Sequence, residues 1–419
     1  MHFREAVAPA LSGHFVNEFW TTLLPQLCHT EPAVLHAVQS LSASHRRFVM
    51  KVGPDLAQLE GDAFELRQYN RAITQLRSRA STSDADLVVV ACCLLFTCFE
   101  CLYGNQDLAL THLKHGLDIV KTTGTPFWAS EAQKILHRFS TQSVLFGNIP
   151  QESTTFEEIV GPAMEVNVPQ SFKGLTEAQA VLDILIAVAL RFSSKVRQYT
   201  RTGMMTAPPH GHHDRLIQKY RSWESAFIRL RATTAEDDTS EARFLDLWIR
   251  YRASSIWIHS CLRKLETDFD AYKAEFSDII ECAGRLTSIS SPNINSLKST
   301  AFTFDHGNVS AIFLVALKCR YASIRMKAID IMYALPAREG LWDTRLSARA
   351  ARRIMEIETT ATQEQSDSIP GDLPPEHCRV FTADIMEDQG QGYIHFHMRP
   401  EGHGGPIVDW KEDISTLPQ

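Results

Sequence analysis

Residues 316–332 read ALKCRYASIRMKAIDIM, and the way this stretch folds decides what kind of molecule carries it. Lys318, Arg320, Arg325 and Lys327 stand among alanine, leucine, isoleucine and methionine. They are either a surface for nucleic acid or charges that a core must neutralise. On one continuous helix at about 100° per residue, Lys318 and Arg325 fall together, with Arg320 and Lys327 on nearly the opposite side. Leu317, Cys319, Ile324, Met326 and Ile329 fill the other directions. A DNA-reading helix gathers its cations on one face among polar neighbours, whereas a helix apolar all round belongs inside a protein. An unpaired buried charge costs several kcal/mol, so these cations need carboxylates. Glu100, alone on its own apolar helix, is the expected partner.

The totals agree with an interior role. A chain of 419 residues can bury a large core and suggests two or three domain-sized units. Hydrophobic residues at 44% and charged residues at 22% are an ordinary globular balance. A net charge of −7 argues against a chain that grips polyanions by bulk electrostatics. Met1-His2-Phe3-Arg4 lacks the basic-then-apolar opening of a signal peptide. The nine cysteines, clustered at Cys92, Cys93, Cys98 and Cys101, do not resemble a secreted disulfide framework and predict reduced thiols and an intracellular protein. Leu87–Tyr103 is only just long enough for a membrane span, and Glu100 interrupts it, so a buried core helix is expected and no membrane.

Helical periodicity dominates the chain. Thr30-Glu31-Pro32 opens a helix with Val34, Leu35, Val38 and Leu41 at helical spacing. Leu66, Tyr69, Ile73 and Leu76 give Phe64–Arg79 an apolar stripe, with Arg67, Arg71 and Arg77 elsewhere. Ser83 or Asp84 caps the cysteine-rich helix and Gly104 breaks it. Asn105 caps the next, which runs to Gly124, so the two form an αα-hairpin. Further helices are expected at 175–200, 215–231, 242–267, 269–288, 308–335 and 345–362. "CRVFTADIM" and "GYIHFHM" then alternate, with Phe381, Ala383 and Ile385 on one face and Ile394, Phe396 and Met398 on one face of the partner. The expected fold is all-α, a large multi-helix body with a small C-terminal β-hairpin. Residues 1–147 form one helical half and 148–176 a linker. Residues 177–366 form a second half packed on the first, 367–400 a linker and the hairpin, and 401–419 a loose tail.

Several segments together resemble the regulatory region of fungal-specific Zn(II)2Cys6 transcription factors. They are "FREAVAPALSGHFVNEFW", "EPAVLHAVQSLSASH", "YNRAI", "LLFTCFECLYGNQDLALTHLKHGL", "FTFDHG", "KCRYASIRMKAIDIM" and "EGLWD", in that order along the chain, and with the closing hairpin the similarity runs from about residue 2 to about residue 400. The resemblance implies an all-helical regulatory domain that lies C-terminal to a zinc-cluster DNA reader and acts through effectors, dimerisation or masking. It implies a nuclear location, with the cytoplasm as the alternative, and no known catalytic residue. The six-cysteine basic segment of that reader is not in this sequence. The chain is therefore expected to bind no nucleic acid by itself and to work with a protein partner, as a homodimer or with a small-molecule effector. Cys98–Cys101 has CxxC spacing in an apolar helix, without a second pair, and is not read as zinc.

The remaining chemistry is sparse. His112 and His115 lie three apart with Asp118 three further on, a pattern that metals use, although the preferred reading is that the family pattern places a histidine there for a core hydrogen bond. "HGHHD" at 210–214 is placed in a loop, and His395 with His397 on a solvent face of the hairpin. Asp305 and His306 could pair as an acid and a base, but more simply cap the next helix. No P-loop, GxSxG, HExxH or dinucleotide fingerprint occurs. No catalytic residue, metal or cofactor is assigned. The ligand-pocket candidates are Glu100, His112, His115, Asp305, His306 and Arg320, ionisable groups in apolar stretches. The preferred function is a non-enzymatic transcription regulator, expected in the control of fungal secondary metabolism. The alternative is a helical small-molecule-binding protein or biosynthetic enzyme.

Overall fold

The computed structural model describes residues 1–15, 17–50, 56–78, 85–122, 127–145, 155–202, 207–234, 237–290, 302–303, 308–364, 373–388, 391–402 and 404–416. Among them are fifteen α-helices and two small three-stranded sheets, so the all-α expectation holds with more β structure than one hairpin. The chain divides into two compact units.

Unit 1 comprises residues 1–143 together with two later segments, 293–307 and 336–342. Its helices are α1 (Ala8–Ser12), α2 (Leu24–Thr30), α3 (Pro32–Met50), α4 (Leu56–Ser78), α5 (Ala85–Tyr103), α6 (Gln106–Thr122) and α7 (Phe127–Leu145, which runs into the boundary). α5 is the cysteine-rich segment. It is apolar and long enough to cross a membrane, yet most of it is buried in the protein, as a core helix should be. Gly104, at φ 79°, turns the chain out of α5, and the Asn105 side chain accepts from Leu108 N at 3.2 Å to start α6. All nine cysteines are free, and burial pushes the Cys93 and Cys101 thiols up to about 12. The stripe of α4 is rotated by one residue from the expected one. Leu66 is 45% exposed, whereas Glu65, Gln68 and Ala72 are buried. The expected caps Ser83 and Asp84, and Gly124, lie outside the described residues.

The late segments complete unit 1. Strand β1 (Phe302–Thr303) pairs in parallel with β2 (Arg338–Glu339), and β3 (Trp342–Asp343) closes the sheet. Gly340 turns β2 into β3 at φ 52°, a left-handed conformation that favours glycine, and the Gln142 amide would have to shift to admit a Cβ there.

Unit 2 holds α8 (Phe156–Glu165), α9 (Leu175–Thr202), α10 (His210–Thr233), α11 (Asp238–Ser260), α12 (Lys273–Ser290), α13 (Val309–Lys318), α14 (Ala322–Ala334) and α15 (Thr344–Gln363). Within the expected linker 148–176, α8 is a regular helix. A capping box joins Thr155 and Glu158, and Ile159, Val160 and Ala163 are buried. The loop expected at "HGHHD" is the first turn of α10. His212 and Arg215 both hold the Glu157 carboxylate there, at 2.8 and 2.7 Å, and His213 Nε2 meets the Ile258 carbonyl at 2.8 Å.

Strands β4 (Val380–Asp388) and β5 (Gln391–Met398) form the expected antiparallel hairpin, with Ala383 opposite Phe396 and Ile385 opposite Ile394. A bulge between Val380 and Thr382 alters its first residue. Val380, not Phe381, is the one fully buried there. The tail expected to be loose supplies a third strand, β6 (Val408–Asp413), which pairs with β5 and places Trp410 on Phe396. Arg353 of α15 pins it through Glu412 at 2.7 Å.

Both units borrow from the end of the chain, so neither is complete at residue 297. A fragment ending there is predicted to lack a cooperative thermal transition and to be rapidly proteolysed. The full chain should melt cooperatively by circular dichroism.

Candidate functional site

The helix expected over 316–332 is broken. α13 ends at Lys318, residues 319–321 run extended, and α14 starts at Ala322. The last carbonyls of a helix have no partner within it, and arginines supply one here. Arg325 Nε donates to Ala316 O at 2.6 Å, its Nη2 reaches Leu317 O at 3.4 Å, and Arg320 Nη1 donates to Lys318 O at 2.9 Å. Cations at this end also suit the helix dipole. The break overturns the single-helix arrangement in which these residues faced opposite ways: Lys318, Arg320 and Arg325 all turn inward. Only Lys327 stays exposed.

Their partners are Glu266 and Glu358, not Glu100. Glu358 of α15 bridges the two arginines, with Oε1 at 2.9 Å from Arg320 Nη2 and Oε2 at 2.7 Å from Arg325 Nη1. Glu266, in a 3-10 turn at Glu266–Tyr272, takes Lys318 Nζ at 2.7 Å and Arg320 Nη1 at 3.1 Å. The C-terminal sheet seals the group. Val380 N donates to Glu358 Oε1, Arg320 donates to Val380 O, and Lys318 donates to Phe381 O. Beside it the buried Arg379 grips both oxygens of Asp270 at 2.8 and 2.7 Å.

Burial alone would push the Glu358 carboxyl up, but Arg320 and Arg325 outweigh it and hold it below the usual range. Burial pulls Lys318 and Arg325 down. For Arg320, burial is outweighed by Glu358 and Glu266, which raise it. A guanidinium starts so high that both arginines stay charged.

In unit 1 the structure brings two of the six pocket candidates together. Glu100 on α5 is buried beside Tyr69 of α4, whose hydroxyl lies 2.8 Å from His112 Nε2 on α6. Of the two histidines, His112 is the one that makes a core hydrogen bond. His115 is exposed one turn further along α6. A second tyrosine–carboxyl contact runs the opposite way: Tyr103 of α5 donates to Glu65 of α4 at 2.5 Å, and Arg47 of α3 reaches the same Glu65 oxygen at 3.2 Å. Phe96, Tyr69, Phe99 and Tyr103 form a ladder with ring centroids 4.5–4.9 Å apart. Arg320 belongs to unit 2, and Asp305 and His306 lie outside the described residues.

Residues that sequence reasoning missed are Glu65, Glu266, Glu358 and Arg379. Glu358 carried a signal, because it continues the buried line Ser347, Ala351 and Ile354 on α15. His395 and His397 do not stand free in solvent. Each is half-buried and partnered, at 2.6 Å by Asp409 and at 3.4 Å by Asp384. No cluster of three or more His, Cys, Asp or Glu suited to a metal occurs among the described residues.

The sequence model of the fungal-specific transcription factor domain matches residues 1–297. The chain belongs to that family. No curated protein and no solved structure matches it. The match spans unit 1 as far as residue 297 and unit 2 through α12. The ion-pair group of this fungal-specific transcription factor domain protein thus draws Glu266 from the matched residues and its other members from beyond them.

Removing one member of a buried ion group strands the others, at roughly 3–5 kcal/mol. Glu358→Gln is predicted to destabilise unit 2 by about that amount in urea unfolding at neutral pH. The folded carboxyl lies below its free value of 4.5, so its stabilisation is full above that pH and is lost as pH falls through the folded value. The variant should show a correspondingly shallower acid limb.

Proposed function

We propose that this chain is the regulatory part of a transcription regulator, acting through a protein partner, a second copy or a small-molecule effector, and that it does not itself grip DNA. The observation that carries this reading is the fate of the late cations. Lys318, Arg320 and Arg325 are spent on Glu266, Glu358 and helix-end carbonyls, so these three cations are not available to phosphate. The net charge of −7 points the same way. Family membership supports a role in transcription. The resemblance read from the sequence supports a nuclear location and a part in fungal secondary metabolism.

A reading as a small-molecule-binding protein or enzyme has one observation in its favour, the joining of Glu100 and His112 at Tyr69. His112 is hydrogen-bonded to Tyr69 and Glu100 is buried beside the same residue, an arrangement that serves packing as well as chemistry.

Fluorescence anisotropy with the purified full chain and a labelled random duplex tests the proposal. Non-specific DNA binders show Kd values of about 10⁻⁴–10⁻⁶ M at physiological salt, with affinity falling steeply as salt rises. The expected result is no saturable binding tighter than about 100 μM at any salt concentration tried. Micromolar affinity with a steep salt slope would contradict it.

A further inference from the structure

Strand β6 is the outer strand of the C-terminal sheet. β5 lies along one side of it, and among the described residues no strand lies along the other. A strand turns alternate N–H and C=O groups to its two sides, so half of the backbone groups of β6 face away from β5. Its position is fixed from within. Trp410 stacks on Phe396 with ring centroids 5.3 Å apart. From α15, Arg353 reaches Glu412 at 2.7 Å and Arg349 reaches the Ile414 carbonyl at 2.7 Å. Asp409 and Lys411, on either side of Trp410, point to the exposed face of the sheet, opposite His397 and His395 of β5.

We propose that β6 pairs antiparallel with β6 of a second copy of this chain, about a two-fold axis through Trp410, joining two three-stranded sheets into one of six strands. This rests on the proposed reading of a regulator that works with a second copy, yet the two fail separately. A chain that stays monomeric refutes the pairing and leaves the DNA titration unchanged.

The charges choose both the occupant and the register. A two-fold axis normal to the sheet keeps each face on its own side, so residues of the same face must oppose one another. Centred on Asp409, the pairing would set Asp409 against itself. Centred on Lys411, it would set Lys411 against itself and Asp409 against Asp413. Centred on Trp410, it sets Asp409 against Lys411 of the second copy, twice over, and opposite charges across two strands attract. An axis nearer either end of the strand pairs fewer residues. Charges on an edge strand ordinarily deter pairing, but the order acid, Trp, base is its own complement when reversed. Another extended segment would gain the backbone bonds without these two ion pairs. Val408, 47% exposed in the single chain, comes to lie beside the stem of Glu412.

Both charges are within reach of a strand alongside. Asp409 accepts from His395 Nε2 at 2.6 Å, and Lys411 Nζ lies 4.4 Å over the Tyr393 ring and 3.4 Å from its hydroxyl. These contacts lie on the exposed face of the sheet, where a neighbouring strand can share them. One strand edge is a small interface, so the dimer is expected to be weak, with a Kd of about 1–100 μM.

Sedimentation equilibrium of the purified full chain, taken to about 200 μM, should show a reversible monomer–dimer equilibrium. Lys411→Asp sets acids against acids at two places and should raise Kd at least about tenfold, and Asp409→Lys should do so with bases. The double variant Asp409→Lys/Lys411→Asp restores both pairs and should regain most of the lost affinity. Hydrogen–deuterium exchange locates the contact, because N–H groups within 408–413 should exchange more slowly as concentration rises through Kd. A monomer throughout, a dimer equally tight in Lys411→Asp, or a double variant as weak as the single ones overturns the proposal. Should the charge variants fail to fold, the wild-type exchange decides alone, and exchange in β6 that is independent of concentration overturns it.

Discussion

Glu358 holds two arginines with one carboxylate, and much of unit 2 is arranged around that fact. Arg320 and Arg325 stand on either side of a break between α13 and α14, and their guanidiniums close the carbonyls that the break leaves open. Without a carboxylate between them these like charges would repel in a medium that screens little. Glu358 removes the repulsion and also accepts from Val380 N, so the helix break, α15 and the C-terminal sheet share one charge-balanced joint. Replacing the joint with apolar side chains of like volume could be neutral for stability, whereas taking one partner away is not.

The rest of the joint shows why the charges are several. Glu266 brings in Lys318, and Lys318 donates to the Phe381 carbonyl. Arg379 and Asp270 anchor the sheet's entry to the same 3-10 turn. The bulge at Val380 follows from these contacts, since Val380 has both its N–H and its C=O committed to the joint and cannot keep step with β5. A cation-rich segment, which on a surface would suggest polyanion binding, here acts as an internal fastening of unit 2.

The helices and the hairpin were legible because apolar periodicity carries them. So were Gly104 as a breaker, Asn105 as a cap and the buried state of α5. The break at Cys319–Tyr321 was not, because it contains neither glycine nor proline and the apolar pattern continues through it. A wheel drawn across it therefore sent Lys318 and Arg320 the wrong way. Their partners were hidden for a different reason. Glu266 and Glu358 lie far off in sequence, and periodicity says nothing about pairing between distant elements. Glu358 alone carried a usable sign, an acid on the buried line of an amphipathic helix. The α4 face was misjudged by one position because Leu66 and Tyr69 looked like the stripe. The helix instead buries Glu65 and Gln68, polar groups satisfied by Tyr103, Arg47 and His36. Of the pocket candidates, Glu100 and His112 lie together at Tyr69. Their link, Tyr69, was read only as an apolar residue.

Phenylglyoxal labelling of the native full chain, with each arginine followed by mass spectrometry, tests the central claim most directly. Exposed arginines such as Arg67 and Arg71 set the reference rate. Arg320 and Arg325 are predicted to remain unmodified until the chain unfolds. Labelling of those two at the rate of Arg67 would show that they face solvent, and the account of a neutralised interior would fail.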